Sequence, residues 1–113
     1  NMIVGSSGEN IYPEEIESVI NDFGHVIESL VVQKKGKLVA MVHLNIEELQ
    51  AKYAQMKKDF ADQAELIINE YLEELQRYVN SRVNRYSQLQ LVVYQPEPFQ
   101  KTATLKIKRF LYY

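Results

Sequence analysis

A lysine flanked by hydroxyls near the end of the chain is the residue best suited to chemistry. The stretch Lys101-Thr102-Ala103-Thr104-Leu105-Lys106-Ile107-Lys108-Arg109 follows Pro96 and Pro98. The prolines restrict the approach, and Thr102 and Thr104 can hydrogen-bond nearby backbone. A loop held in this way projects Lys106 from a compact scaffold toward a site elsewhere. A flexible ammonium suits an anionic phosphoryl transition state, because it meets charge that develops during transfer without demanding bidentate geometry. The substrate of such a lysine carries phosphate. The plainer reading of Lys101, Lys106, Lys108 and Arg109 is a solvated basic patch, and charge alone does not separate the two.

The other chemistry-bearing residues give weaker signals. Gly5-Ser6-Ser7-Gly8 could form a nest of backbone amides for an anion, yet it lacks the dinucleotide glycine spacing and the lysine of a phosphate-binding loop. Its glycines are better read as permissive, letting the backbone approach another surface. Glu14 and Glu15 suit a helix N-terminus electrostatically, and Glu17 is expected to face solvent. His25 and His43 lie far apart with no cysteine between them and no ligand-like spacing, so both read as structural or exposed. No residue pattern predicts a metal site. Tyr53, Tyr71, Tyr78 and Tyr86 fall on a helical pattern and read as packing.

These residues need elements to hold them. Asn1-Met2-Ile3-Val4 reads as a strand with no polar lead-in, which predicts that further chain precedes it. Pro13 suits the first position of a helix, and Ile16, Val19, Ile20 and Phe23 form one apolar stripe that Gly24 is placed to end in a left-handed conformation. Strands are predicted over Val26 to Gln33 and Leu38 to Leu44, joined by a tight turn at Lys34-Lys35-Gly36-Lys37. The second strand is apolar on both faces, which predicts helices on at least one side of a sheet. Asn45 with Glu48 resembles an N-cap and its reciprocal acid, and Ile46 to Tyr86 contains neither Gly nor Pro. That run is helical throughout but too long for one uncapped helix, so a break is predicted near Lys58-Asp59, with Asp59 capping the second helix. A third strand, Leu89 to Tyr94, ends before Pro96. The fold class is α+β: a two-layer domain with a small, mainly antiparallel three-stranded sheet packed against helices, including a long helical segment.

Composition narrows the partners. The chain has 113 residues, which is one domain's length. A net charge of -2 does not supply the basic field on which nucleic-acid binding rests. The absence of cysteine excludes disulfides and thiolate catalysis and fits a cytoplasmic setting. No apolar run is long enough to cross a bilayer, so no transmembrane segment is predicted.

Both end stretches resemble one family. Gly8, Ile11, Glu15, Ile16 and Glu17 match the pattern of a glycine, two residues, an isoleucine, three more residues and then Glu-Ile-Glu in adenylate-forming acyl-CoA synthetases. The wording Gly-Glu-Asn-Ile-Tyr-Pro-Glu-Glu-Ile-Glu is similar to the long-chain fatty acid-CoA ligases. Lys101, Thr102, Thr104, Lys106 and Arg109 resemble the family's closing motif. Gln100 stands where the family often has proline, and Leu105 where it usually has glycine. Because leucine adopts positive φ only at a cost, a different path is expected for the loop carrying Lys106. The segment from Leu49 to Ala64 is longer than the family pattern and is read as an insert.

The resemblance implies that residues 1–113 form a mobile C-terminal domain whose large N-terminal adenylation domain lies outside this chain. That partner would bind ATP, Mg2+ and a fatty acid and form an acyl-adenylate with loss of pyrophosphate, after which coenzyme A attacks. The small domain would swing between two orientations, offering Lys106 as the catalytic lysine of adenylation and Gly8, Glu9 and Asn10 on the coenzyme A side for the thioester step. The full enzyme could touch a membrane peripherally, and this chain alone is expected to be inactive. Two other readings stay open: part of another adenylate-forming enzyme that loads a carrier protein, and a noncatalytic α+β interaction module.

Overall fold

Tyr12 is extended and Pro13 follows it at the first helical position, where a missing N–H costs nothing, so α1 (Pro13–Asn21) starts where the sequence places it. Ile16 and Ile20 of its stripe are fully buried. The computed structural model describes residues 1–56 and 64–113 of the chain. Ahead of α1, a two-residue antiparallel ribbon pairs β1 (Ile3–Val4) with β2 (Asn10–Ile11).

The exit from α1 corrects one expectation. The left-handed residue is His25 (φ 75), and Gly24 does not take positive φ. The helix stops at Asn21, whose side-chain oxygen accepts a hydrogen bond from the Ser29 hydroxyl at 2.8 Å. His25 turns the chain so that its carbonyl accepts from the Asn45 N–H at 2.9 Å while its ring nitrogen lies 3.0 Å from the Glu48 carboxylate. Two bonds to one helix start therefore outweigh the strain of a non-glycine in that conformation.

β3 (Val26–Lys34) and β4 (Lys37–Leu44) pair antiparallel, closing at Lys34 opposite Lys37. The two turn residues, Lys35 (φ 52) and Gly36 (φ 77), both take positive φ, the geometry whose twist matches the flanking strands. β5 (Leu91–Tyr94) pairs with β4 parallel, Val39 opposite Leu91 and Val42 opposite Tyr94, so the sheet order is β3-β4-β5 and the sheet is mixed. A parallel neighbour needs a long crossover. The chain provides one through α2 (Ile46–Met56) and α3 (Ala64–Asn80).

Asn45 caps α2: its side-chain oxygen accepts from the Glu48 N–H at 3.1 Å, and its amide donates to the Glu48 carboxylate at 2.7 Å. α2 and α3 occupy the described parts of the glycine-free run, while the break predicted at Lys58-Asp59 and residues 57–63 of the insert lie outside the described residues. Helix does not continue to Tyr86 as expected. It ends at Asn80, whose side chain leaves the helix to bond both backbone groups of Leu89, at 2.7 and 2.9 Å. Asn84 then caps a separate short turn, Arg85–Ser87. Asparagine and serine compete with helical hydrogen bonds in this way.

One core joins α1, α2 and α3 to a single face of the sheet, with Ile16, Leu49, Leu75 and Val79 against Val31, Ala40 and Val42. The opposite face carries Leu30, Val32 and Val39; Phe99 is buried there, with Ile107 and Tyr112 packed beside it. Both faces of β4 are covered, as its apolar run demands, and the C-terminal segment forms the second cover. Tyr71 is buried, its hydroxyl donating to the Gly24 carbonyl and its ring beside Phe23. Tyr78 packs on Phe23 as well, whereas Tyr86 is exposed and off the helix, against expectation. Among the described residues, no helix is long and apolar enough to cross a membrane.

Candidate functional site

Residues 101–107 form a small hairpin bridged at Lys101 and Ile107. The Leu105 N–H donates to the Thr102 carbonyl at 2.9 Å and the Thr102 N–H to the Lys106 carbonyl at 2.8 Å. This is the pattern of a turn followed by one left-handed residue. Leu105 nevertheless occupies the left-handed position, with φ 64, despite the cost to a side chain there. The threonines hold it there. The Thr102 hydroxyl accepts from the Lys106 N–H at 3.2 Å and lies 3.1 Å from the Thr104 hydroxyl. Left-handed geometry costs a side chain roughly 1–2 kcal/mol, about what one or two such bonds return.

The four cations read together in the sequence separate into two roles. Lys101 is a tie: its ammonium lies 2.8 Å from Glu28 and 3.2 Å from the Phe99 carbonyl, and Glu28 also accepts from the Phe99 N–H at 3.0 Å. Arg109 is a second tie, gripping Glu17 with two nitrogens at 2.8 and 2.5 Å. Glu17 does not face solvent as predicted. It is 7% exposed and also accepts from the Val31 N–H at 2.8 Å, so one carboxylate joins α1, β3 and the C-terminal segment. Hydrogen bonding to Glu17 raises the Arg109 pKa above its ordinary value. Nearby Glu14 is exposed, and the slight desolvation it does feel opposes its ionisation. The Asn1 amide, its own backbone and the Arg109 charge outweigh that and hold its carboxyl below the ordinary value.

Lys106 and Lys108 are left over. The Lys106 ammonium has no ion pair or hydrogen bond among the described residues, and the residue is exposed. It lines an open groove with Glu14, Arg109, Phe110 and Tyr113. The structure therefore presents a free cation on a turn whose two ends are fastened. Sequence reasoning missed the fastening, although glutamates at 17 and 28 on elements with apolar neighbours carried a faint signal of buried counter-charge.

The glycine loop is built differently. The Gly5 N–H donates to the Glu9 carbonyl at 2.8 Å and the Gly8 N–H to the Gly5 carbonyl at 3.0 Å. Gly8 takes φ 86, which is why a glycine stands there. The Glu9 carboxylate folds across Gly5, in the space a Cβ would occupy. Asn10 is exposed on β2 opposite Val4. Gly8 itself is exposed, and the groove beside this loop shares no lining residue with the groove at Lys106. Lys106 thus lines one groove, and Gly5, Ser6, Ser7 and Glu9 of the glycine loop line another.

His25 and His43 serve as structural residues, His43 with a ring nitrogen 2.8 Å from the Gln95 carbonyl. Among the described residues, no three acidic or histidine side chains gather to hold a metal ion. Tyr53 lies where side chains are outside the description.

The fold has close counterparts among solved structures. The chain matches a Mycobacterium tuberculosis fatty acyl CoA synthetase with a TM-score of 0.66 and 25% identity, over 97% of this chain and 18% of that one. It matches the O-succinylbenzoate coenzyme A synthetase MenE of Bacillus subtilis with a TM-score of 0.64 and 22% identity, again over 97% of this chain and 18% of that one. The adenylation domain of a Mycobacterium chelonae carboxylate reductase gives a TM-score of 0.69 and 18% identity, over 98% of this chain and 17% of that one. No protein-family model and no curated protein matches the sequence. The chain has the fold of a segment spanning under a fifth of these larger proteins.

Proposed function

We propose that this chain is the mobile C-terminal domain of an ATP-dependent acid–thiol ligase acting on long-chain fatty acids. Its partner is its own N-terminal adenylation domain, which supplies most of the site for ATP, Mg2+ and the fatty acid. The likeness in fold to coenzyme A synthetases and to an adenylation domain supports this reading, as does the small share of those chains that it spans. The observation that carries it is the ammonium of Lys106, unpaired among the described residues, on a fastened hairpin. A cation held ready without a counter-ion suits charge that exists only while a reaction proceeds.

In the first half-reaction the fatty acid carboxylate attacks the α-phosphorus of ATP and the bond to pyrophosphate breaks. Lys106 stabilises the charge spread over the phosphoryl oxygens. In the second, the thiol of coenzyme A loses its proton and its sulfur attacks the acyl carbon, releasing AMP. Gly8, Glu9 and Asn10 face this step, the loop's backbone lying open to a narrow substrate arm. Two sites on separate grooves suit a domain that rotates between the steps. The enzyme works in the cytoplasm, with peripheral membrane contact as its route to a lipid substrate.

The test is Lys106→Ala in the full-length enzyme. Fatty acid-dependent ATP–pyrophosphate exchange falls by two or more orders of magnitude, while thioester formation from supplied acyl-adenylate stays within a few-fold. Equal loss in both half-reactions contradicts the assigned role, and no loss in either favours a noncatalytic module. Loading of a carrier protein is the second reading, favoured by the likeness to a carboxylate reductase's adenylation domain.

A further inference from the structure

The glycine loop shares its groove with residues that the reading above does not use. Arg85 and Tyr86, from the short turn after α3, line it together with Ser7, Glu9, Gln33 and Gln90. Their backbone is fixed, since the Asn84 side chain accepts from the Tyr86 N–H at 2.9 Å and the Ser87 N–H at 3.1 Å. The Arg85 guanidinium lies 4.8 Å from the centre of the Tyr86 ring and donates to its hydroxyl at 2.7 Å. The ring is on a residue 43% exposed, and Arg85 pairs with no carboxylate among the described residues. Arg109 and Lys101 hold glutamates elsewhere in the same molecule, whereas Arg85, like Arg82 over Tyr78, rests on an aromatic ring, and of these four cations Arg85 is the one that lines this groove.

A guanidinium fork offers two parallel donors to a phosphate, and an exposed ring offers a stacking face to a base. Side by side, they match a phosphorylated nucleoside. Glu9 lies in the same groove and repels phosphate near the glycines, which leaves the Arg85 end to receive it. We infer that Arg85 and Tyr86 bind the phosphorylated nucleotide end of the thiol substrate, while its uncharged arm runs along the glycine loop. This assignment rests on the function proposed above and narrows it. Coenzyme A carries such a nucleotide and a pantetheine arm tethered to a carrier protein does not, so the platform selects free coenzyme A.

The full-length enzyme tests this with three acceptors, coenzyme A, 3′-dephospho-coenzyme A and pantetheine, each offered to preformed acyl-adenylate. In Arg85→Ala the KM for coenzyme A rises about tenfold, as expected for loss of a charge-assisted phosphate contact. The KM for pantetheine and the rate of ATP–pyrophosphate exchange stay within twofold, and Arg85→Lys recovers part of the coenzyme A affinity. Tyr86→Leu weakens coenzyme A and its dephospho form alike. An unchanged KM for coenzyme A, or an equal rise for pantetheine, overturns the assignment and leaves the proposed ligase standing. Absence of exchange in the unaltered enzyme overturns the ligase reading and this assignment with it.

Discussion

The lysine hairpin and the glycine loop are both short turns at the domain surface, and they are held by opposite means. Residues 101–109 are fastened by side chains: Lys101 to Glu28, Arg109 to Glu17, and Phe99 edge-on to Tyr112 with ring centres 5.1 Å apart. Residues 5–9 are held by two backbone hydrogen bonds above a ribbon of two-residue strands. A fastened turn can deliver a charge to a fixed point. A loop held by its backbone presents peptide groups and yields to what it meets.

Substitution at Arg109 should break that contrast with the largest effect. Arg109→Ala leaves a carboxylate buried beside α1 with its counter-charge gone, and such losses run to about 3 kcal/mol. Denaturant unfolding measures it, with Lys106→Ala as the companion. That companion should change stability by less than about 0.5 kcal/mol, because its exposed ammonium makes no ion pair or hydrogen bond among the described residues. Similar losses in the two variants would mean that the hairpin is not fastened where the structure shows. In the glycine loop, Gly8→Ala should cost about 1 kcal/mol through its positive φ, although the space around it is open. A near-zero change there would show that the loop adapts without a glycine. A smaller effect, of opposite sign, belongs to Leu105→Gly. Relief of left-handed strain, roughly 1–2 kcal/mol, is offset by roughly 0.5–1 kcal/mol of extra chain entropy, so stability should rise by about 0.5 kcal/mol. A fall in stability would mean that the 78% exposed leucine is not strained.

Local chemistry was the part of the fold legible in the sequence. Pro13 at a helix start, Lys35-Gly36 in the hairpin turn and Asn45 with Glu48 at the next helix all act within a few residues of themselves. What depends on distant partners was not legible. Nothing near His25 says that it will take the left-handed position, because the reason is Asn45 and Glu48. The sheet was expected to be mainly antiparallel, since the orientation of β5 is set by the path of two helices and not by Leu91-Val92-Val93-Tyr94. Helix was extended past Asn80 because its apolar spacing continues to Val83, while the competing bonds to Leu89 lie in another element. The site divides the same way: Lys106 stands out by its neighbours, whereas Glu17 as the seat of Arg109 depends on residues 92 apart in sequence.

That separation has a consequence for how the molecule is made. Synthesis proceeds from the N-terminus, so Glu17 emerges 92 residues before its cation arrives. Any product released short of Arg109 keeps the carboxylate on α1 with only the Val31 amide to answer it. Such a product also lacks Tyr112 over the second face of the sheet. A truncated polypeptide is therefore weakened at both layers at once, and quality-control proteases meet it as a substrate before any partner does.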